Sequence, residues 1–273
     1  MIRRYSLAQL TTLELNPPAM ISTAAETGYQ ACGIRLLPVK PGGVGYPLMD
    51  DPAMLRETLA RMQDTGVQVA DLEIIRLTET FKAQDYLRFF EVGQKLGATN
   101  ILVAGNDADE ARATASFAQL CEACRPFGLT ADIEFMPWLP VDRLSSARRI
   151  VETAGQGNGG VLMDPLHFAR SASTLDELAA LPKSLIHYAQ ICDAPAGIPT
   201  NPEDLIYTAR SARLPAGEGG IDLKGIFRQI PADTLISVEI PNDEQRARMS
   251  AQDWAKHCLD TARQLLDQVE PIR

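Results

Sequence analysis

Eight short runs of apolar and β-branched residues divide the chain, and Gly, Pro, Asn or Asp residues lie at the ends of most of them. Runs of this length and composition are typical of strands that are buried on both faces of a sheet. We therefore expect eight buried strands. They lie in the segments 4–10, 31–39, 67–75, 99–105, 129–136, 160–166, 185–193 and 235–242.

Most of the stretches between these runs have helical periodicity, and several end at a glycine that suits a helix C-cap. The clearest are 52–66, 83–97, 111–128, 142–155 and 174–181. Alternation of strand and helix predicts a parallel sheet, and eight units favour a closed (β/α)8 TIM barrel over an open doubly wound sheet. Length alone leaves two domains open, but no change of composition marks a boundary, so we predict one TIM-barrel domain over residues 1–273.

The composition is that of an ordinary globular protein, with 45% hydrophobic and 22% charged residues in a chain of 273. The formal net charge is -9, from 26 basic and 35 acidic residues, and no long basic run occurs, which disfavours a nucleic-acid partner. No apolar segment reaches the length of a membrane helix, and the N-terminus lacks the apolar core of a signal peptide. We therefore predict a cytoplasmic protein with no membrane association.

Five cysteines, an odd number scattered along the chain, suit a reducing compartment better than a disulfide framework. Cys121 and Cys124 have the C-x-x-C spacing of redox and zinc sites. They fall inside the helical segment 111–128, however, so we interpret them as two partly buried helix cysteines.

Two segments, 38–51 and 193–223, predict long loops after the second and seventh strands. In a barrel both would emerge at the C-terminal face, where the loops that follow strands build the active site. The glycines of 42–45 lack the spacing of a dinucleotide-binding motif and are followed by a proline, so no nucleotide cofactor is expected.

Polar residues end four successive strands, and in a barrel all of them would point toward one mouth. Burying a single carboxylate costs several kcal/mol unless it is paired, and one alone is typical of a structural ion pair. Several carboxylates gathered together repel one another unless a divalent cation neutralises them. The residues are Glu134 on the fifth strand, Asp164 on the sixth, His187 or Gln190 with Asp193 on the seventh, and Glu239 on the eighth.

Three carboxylates with one amide or imidazole form an oxygen-rich site. Such a site is typical of Mn, Mg or Co, and it differs from the tetrahedral thiolate sites that bind zinc. Because side chains alternate along a strand, Gln190 and Tyr188 share a face, and His187 is expected to point toward the helices. We therefore predict one divalent metal ion, Mn or Mg in preference to Co or Zn. The predicted ligands are Glu134, Asp164, Gln190 and Glu239.

In this order along the chain, the motifs resemble the xylose isomerase-like TIM barrel superfamily of sugar phosphate isomerases and epimerases. The resemblance covers nearly the whole chain, and it is carried by "IEFMPW", "MDPLHFAR", "IHYAQICDAP", "VEIPN" and the later "RSARLPAGEGGIDLKGIF". The departure is Gln190, where many members have histidine. With His167, His187 and His257 as the only histidines, the chain cannot assemble the histidine-rich trinuclear zinc site of the AP endonucleases in the same superfamily.

The resemblance implies a metal-dependent isomerase or epimerase of a sugar, sugar phosphate or related polyol ketone. It implies that Glu134 and Glu239 remove and return a proton next to the carbonyl through a metal-stabilised enediolate. Asp164 would be a metal ligand only, and its alternative role is to cap the turn that follows it. A structural ion pair is the alternative for the two glutamates.

Five further residues are candidates for substrate binding: His167, Arg210, Arg213, Trp138 and Asp193. Neutral imidazole can hydrogen bond a substrate oxygen, and guanidinium can bind a carboxylate or phosphate in a fixed geometry. The alternatives are a structural histidine, solvated surface arginines, and a tryptophan that covers the barrel rim. Glu73, on the third strand, is expected either to line the cavity or to pair with an arginine such as Arg35.

Two other functions stay open on this scaffold. A lyase of the inosose- or dehydroshikimate-dehydratase type would begin with the same proton abstraction and then expel a hydroxyl group. A barrel that binds a ligand, such as a small carbohydrate-like molecule, or a partner subunit without turnover is the second. By analogy with such barrels, a homodimer or homotetramer is expected.

Overall fold

Eight parallel strands form the centre of the molecule, which a computed structural model describes for residues 3–270. They are β1 (Tyr5–Leu7), β2 (Ala31–Arg35), β3 (Gln68–Leu77), β4 (Asn100–Gly105), β5 (Thr130–Glu134), β6 (Gly159–Leu162), β7 (Tyr188–Ile191) and β8 (Leu235–Val238). Each of the eight overlaps one of the segments where the apolar runs predict a strand. The predicted (β/α)8 TIM barrel is confirmed.

Helices follow the strands and surround the sheet. They are α1 (Pro17–Thr27), α2 (Pro52–Thr65), α3 (Leu87–Leu96), α4 (Glu110–Cys124), α5 (Leu144–Ala154), α6 (Pro165–Arg170), α7 (Leu175–Ala179), α8 (Pro202–Ser211), α9 (Leu223–Arg228), α10 (Asp243–Arg246) and α11 (Ala251–Leu266), with 3-10 turns at Gln9–Thr12, Ala83–Tyr86, Arg125–Phe127 and Lys183–Leu185. None of the helices within residues 3–270 is long and apolar enough to cross a membrane.

Local signals explain where the predicted helices begin and end. At the start of α2, the Asp51 carboxylate accepts a hydrogen bond from the Met54 amide at 2.9 Å, and Pro52 occupies the first helical position. The helix ends at Gly66, whose φ of 75° favours glycine. Glycines in the same role end α3 at Gly97 and α5 at Gly155.

The strand order is β6-β5-β4-β3-β2-β1-β8-β7, so the ring closes between β6 and β7. At this junction the described residues form a single isolated bridge, between Met163 and Ala189, with the Gln190 amide donating to the Met163 carbonyl at 2.9 Å. The other neighbouring strands pair through parallel ladders of two or more residue pairs, with register shifts between β2 and β3 and between β3 and β4. The β6–β7 junction is therefore the weakest part of the ring.

Two apolar clusters pack the molecule. The larger fills the space between the strands and the surrounding helices, and the smaller lies inside the barrel around Leu102, Leu162 and Tyr188. Because side chains alternate along a strand, the inward face of each strand also carries polar residues above and below this inner cluster.

One predicted loop contains a helix that the sequence reading missed. Residues 38–51 form a loop, as predicted, whereas 193–223 include the ten-residue helix α8. This helix begins at Pro202 behind an Asn201 N-cap and carries Arg210 near its end. Strand β3 is also longer than predicted, because it continues past Ile75 to Leu77 and so includes Arg76. Cys121 and Cys124 are buried on α4, as expected of helix cysteines.

Candidate active site

The four predicted metal ligands lie at one end of the barrel. Glu134 ends β5, Gln190 lies within β7, Glu239 comes directly after the end of β8, and Asp164 lies two residues after the end of β6. All four side chains are buried. Parallel strands bring their carboxyl ends to the same face of a barrel, which is why positions so far apart in sequence meet here.

A cavity of about 220 Å³ opens at this mouth. Six of the residues predicted to bind metal or substrate line it: Glu134, Trp138, His167, Arg210, Arg213 and Glu239. Residues 39, 40, 43 and 44 of the loop after β2 form part of its wall. The structure therefore brings these predicted residues together around one space.

Arg213 lies buried among the carboxylates. Its guanidinium Nη1 is 2.6 Å from Asp164 Oδ2, and its Nη2 is 2.8 Å from Glu239 Oε2. Its Nε donates to the carbonyl of Ala209 at 2.8 Å, which fixes the side chain against α8. The arginine therefore neutralises two of the three acids at the mouth, a role the sequence reading did not give it.

Asp164 performs two tasks with its two oxygens. Oδ1 accepts the Leu166 amide at 2.7 Å and so caps α6, while Oδ2 pairs with Arg213. Burial acts to raise the pKa of this carboxyl, but Arg213, His167 and the amide hydrogen bond together hold the pKa below its usual range. Asp164 is therefore ionised at neutral pH. It caps α6, which was its predicted alternative role, and it also pairs with Arg213.

Glu134 has no hydrogen-bond donor within the described residues, and its buried Oε1 lies 3.7 Å from His167 Nε2. Burial raises the pKa of Glu134 well above its usual range, and the charges of Glu239 and Asp164 raise it further. Burial also raises the pKa of Glu239, to about 7, although Arg213 opposes this. Both glutamates thus hold a proton more readily than exposed glutamates do.

The donor atoms present suit a divalent cation. Glu134, Asp164 and His167 each offer one ligand atom, and the three atoms lie within 4.8 Å of one another. The Oε1 of Gln190 is buried and accepts no hydrogen bond within residues 3–270, as is true of Glu134 Oε1. Buried oxygens without donors are unusual in folded proteins, and a bound cation would satisfy them.

The sequence profile of one family, described as "Xylose isomerase-like TIM barrel", matches residues 21–264. The chain belongs to this family. The match includes the ends of β5, β6, β7 and β8, on which the predicted ligands lie.

Relatives and solved structures agree with a xylose isomerase-like barrel. An inosose isomerase from Halalkalibacterium halodurans is 28% identical over 151 residues, 52% of this chain and 50% of the relative, so the chain spans about half the length of the curated relatives it matches. The crystal structure of the IOLI protein with a bound zinc atom has a TM-score of 0.80 at 18% identity, covering 98% of this chain and 100% of that one. The D-allulose 3-epimerase from Methylomonas sp. has a TM-score of 0.70 at 16% identity, covering 96% of both chains.

His167 and Trp138 form one wall of the cavity in this xylose isomerase-like barrel. Their rings meet edge to face, with centroids 5.1 Å apart and an interplanar angle of 79°. Burial lowers the pKa of His167 to about 4, although the charge of Asp164 opposes this. The imidazole is therefore neutral at pH 7 and can either ligate a cation or hydrogen bond a substrate oxygen.

Two further arginines, Arg35 and Arg76, lie at the barrel mouth. The sequence predicts Arg35 only as a possible partner of Glu73, and it does not predict Arg76 as a site residue. Glu73 forms a buried ion pair with Arg35, whose Nε lies 2.7 Å from Glu73 Oε2, so the expected pairing is present. Arg76 lines the cavity from β3. Its position beyond the apolar run that predicts β3 concealed it, although a strand extended by two residues would have placed it on the inward face.

Asp193 does not line the cavity, in contrast to its predicted role in substrate binding. Its Oδ1 accepts the amides of Ala194 and Ile221, and its Oδ2 accepts those of Gly217 and Gly219, at 2.8 to 3.1 Å. The carboxylate is thus satisfied by backbone and holds the loop after α8 against the end of β7.

The prediction that His187 points toward the helices is wrong. Its Nδ1 lies 2.6 Å from Asp132 Oδ1, on the inward face of the barrel below the inner cluster. Gly160 of the neighbouring strand makes room for this contact, because a Cβ there would lie 2.3 Å from Asp132 Oδ1. His187 precedes β7, so the alternation of side chains within that strand does not govern it.

Proposed function

We propose that this protein is a divalent-metal-dependent isomerase or epimerase of a sugar, sugar phosphate or related polyol ketone. The observation that carries the proposal is a pair of buried glutamates, Glu134 and Glu239, that face one cavity, where the ligand atoms of Glu134, Asp164 and His167 lie within 4.8 Å of one another. Family membership and the similarity to an inosose isomerase support an isomerase.

Glu134, Asp164, Gln190 and Glu239 would hold the metal ion, with the imidazole of His167 as a further donor. When bound, the ion would supply positive charge for the substrate oxygens next to the reacting carbon. Oxygen donors predominate in this set, so Mn or Mg is our first choice. The zinc of the IOLI protein supports a divalent ion in this fold without fixing which one.

The protein's own groups would move the proton. Glu134 accepts the proton from the carbon next to the carbonyl, because its carboxylate lines the cavity and accepts no hydrogen bond from any residue between 3 and 270. Glu239 returns a proton to the substrate carbon, because its carboxyl group lines the same cavity. His167 and Trp138 would position the substrate against these two groups.

Elemental analysis of the purified protein, with and without Mn supplementation, tests the metal site. We expect about one equivalent of divalent metal, which falls sharply in Glu134→Gln and in Glu239→Gln. Both substitutions remove a charge at nearly constant volume. Absence of metal in the supplemented wild type would contradict the catalytic proposal and leave a ligand-binding barrel.

Turnover in deuterated water separates the enzymatic possibilities. The metal-loaded protein is offered ketoses, an inosose and dehydroshikimate, and products are followed by mass and NMR spectroscopy. Deuterium incorporation without loss of water supports the isomerase or epimerase, whereas loss of water would identify a lyase of the dehydratase type on the same site.

A further inference from the structure

The cavity is rich in positive charge although the chain as a whole is acidic. Five basic side chains line it, against two glutamates, while the whole chain carries a formal net charge of -9. A local excess of one sign, opposite to the sign of the whole chain, indicates what the cavity attracts. The basic side chains are Arg35, Lys40, Arg76, Arg210 and Arg213.

Two of these arginines already have carboxylate partners. Arg213 pairs with Asp164 and Glu239, and Arg35 pairs with Glu73 at 2.5 Å. These carboxylates neutralise the two guanidinium groups, so Arg35 and Arg213 attract an anionic ligand only weakly.

Arg76 and Arg210 differ from them, because neither forms an ion pair or a side-chain hydrogen bond with any residue from 3 to 270. Arg76 extends from the end of β3, and its Nε is buried without an acceptor. Arg210 reaches the same cavity from the last turn of α8. A buried guanidinium N–H with no acceptor is unfavourable, because it has lost its hydrogen bond to water without gaining another.

The two guanidiniums also repel each other. Burial lowers the pKa of Arg76 and the charge of Arg210 lowers it further, while burial and the charge of Arg35 lower that of Arg210. The charge of Glu134 opposes the lowering of the Arg76 pKa, but no carboxylate within residues 3–270 forms an ion pair with either guanidinium, so an anion bound between them would relieve their repulsion.

We propose that Arg76 and Arg210 form a subsite for an anionic group of the substrate, a carboxylate or a phosphate, beside the acidic cluster. The inference rests on the proposed function and narrows its substrate class to acidic sugar-like ketones. Guanidinium forks bind planar carboxylates and phosphate oxygens through paired N–H donors, which neutral hydroxyl groups satisfy less well.

Calorimetric binding of two matched ligand pairs, in protein stripped of metal with EDTA, tests the subsite without turnover. D-Fructose 6-phosphate against D-fructose reports on phosphate, and shikimate against methyl shikimate reports on carboxylate. In at least one pair we expect the charged member to bind the wild type at least about tenfold more tightly. The pair that responds identifies the anion.

Arg76→Gln, Arg210→Gln and the double variant show whether these two side chains cause the preference. We expect the tenfold gap to fall below about twofold in the double variant and to persist in Arg56→Gln, an exposed arginine on α2. Arg210→Gln alone, at the partly exposed rim, gives a reading if Arg76→Gln fails to fold.

A charged member that binds no better than its neutral partner in both pairs would overturn the subsite, as would a preference that survives in the double variant. Failure of the proposed function has a different signature, since it appears as missing metal or missing deuterium exchange while the anion preference persists.

Discussion

Two acids on the same face of β5, Asp132 and Glu134, have opposite surroundings. Asp132 Oδ1 binds His187 at 2.6 Å, while its Oδ2 accepts hydrogen bonds from Thr130 at 2.7 Å and Asn100 at 3.3 Å. Two residues nearer the mouth, Glu134 accepts no hydrogen bond from any residue that the structure describes.

The comparison separates a structural carboxylate from a functional one. A buried acid whose partners are all protein groups stabilises the fold and has no capacity left for a ligand. A buried acid without donors destabilises the fold and retains that capacity, which is the arrangement that catalysis and metal binding require. Both residues read alike in the sequence, as polar positions in an apolar strand.

Glu134→Gln should show the largest effect and sharpen the contrast most. We expect kcat/KM for the identified substrate to fall about 10³-fold, because the variant cannot accept the proton. The free energy of unfolding of the metal-free protein should change by less than about 1 kcal/mol, since Glu134 accepts no hydrogen bond within residues 3–270 that the substitution could break. A variant that retains more than a tenth of the activity would contradict the assignment.

Arg213→Gln addresses the other acids of the mouth. The substitution leaves Asp164 and Glu239 without their buried counter-charge, so we expect the metal-free protein to lose about 3 kcal/mol of unfolding free energy in urea titrations. Addition of Mn should restore part of it. Arg248→Gln, which breaks an exposed pair with Glu244, is the matched control and should cost under about 1 kcal/mol.

Asp132→Asn is the counterpart of Glu134→Gln lower in the barrel. We expect a loss of about 2 kcal/mol in unfolding free energy, because the buried pair with His187 is broken, with catalytic rate constants within about threefold of wild type. An activity loss comparable to that of Glu134→Gln would contradict the structural role of Asp132, since it would make both acids functional.

The smallest effect concerns pH and the partner of Asp132. Burial acts to lower the pKa of His187, but the hydrogen bond and charge of Asp132 outweigh it and raise the pKa above 6.5. The charged pair therefore stabilises the fold fully below pH 6.5, and its contribution is lost as the pH rises through the raised pKa.

His187→Gln should accordingly cost about 1 kcal/mol at pH 6 and less at pH 9, as measured by chemical denaturation across this range. His257→Gln is the control, because His257 lies in a half-exposed pair with Glu218 and its loss should cost under about 1 kcal/mol. An equal cost of His187→Gln at both pH values would show that the pair is not charged.

The strands and most helices between them could be predicted because their signals are local. Each apolar run identifies its own strand, and each terminal glycine, such as Gly66 or Gly155, identifies its own helix end. The positions of Glu134 and Glu239 at one mouth follow from parallel topology alone. The single domain over 1–273, the cytoplasmic location and the oligomer stay predictions.

The pairings at the mouth could not be predicted, because they depend on which side chain reaches which partner across the barrel. Arg213 and Asp193 both lie near the end of the seventh unit, yet one turns into the acidic cluster and the other is saturated by loop amides. His187 likewise finds Asp132 on another strand. Such contacts between distant segments leave no periodic pattern in the sequence.

A single bridge within residues 3–270 joins β6 to β7, so fewer hydrogen bonds close the barrel at this junction than at the others. Asp164 and His167 follow β6 on one side of this junction, and Gln190 lies in β7 on the other. A ligand bound by all three would therefore link the two strands. A bound ligand would then stabilise the whole ring against opening at this junction. The amides of residues 188–191 would therefore exchange with solvent more slowly once the site is filled.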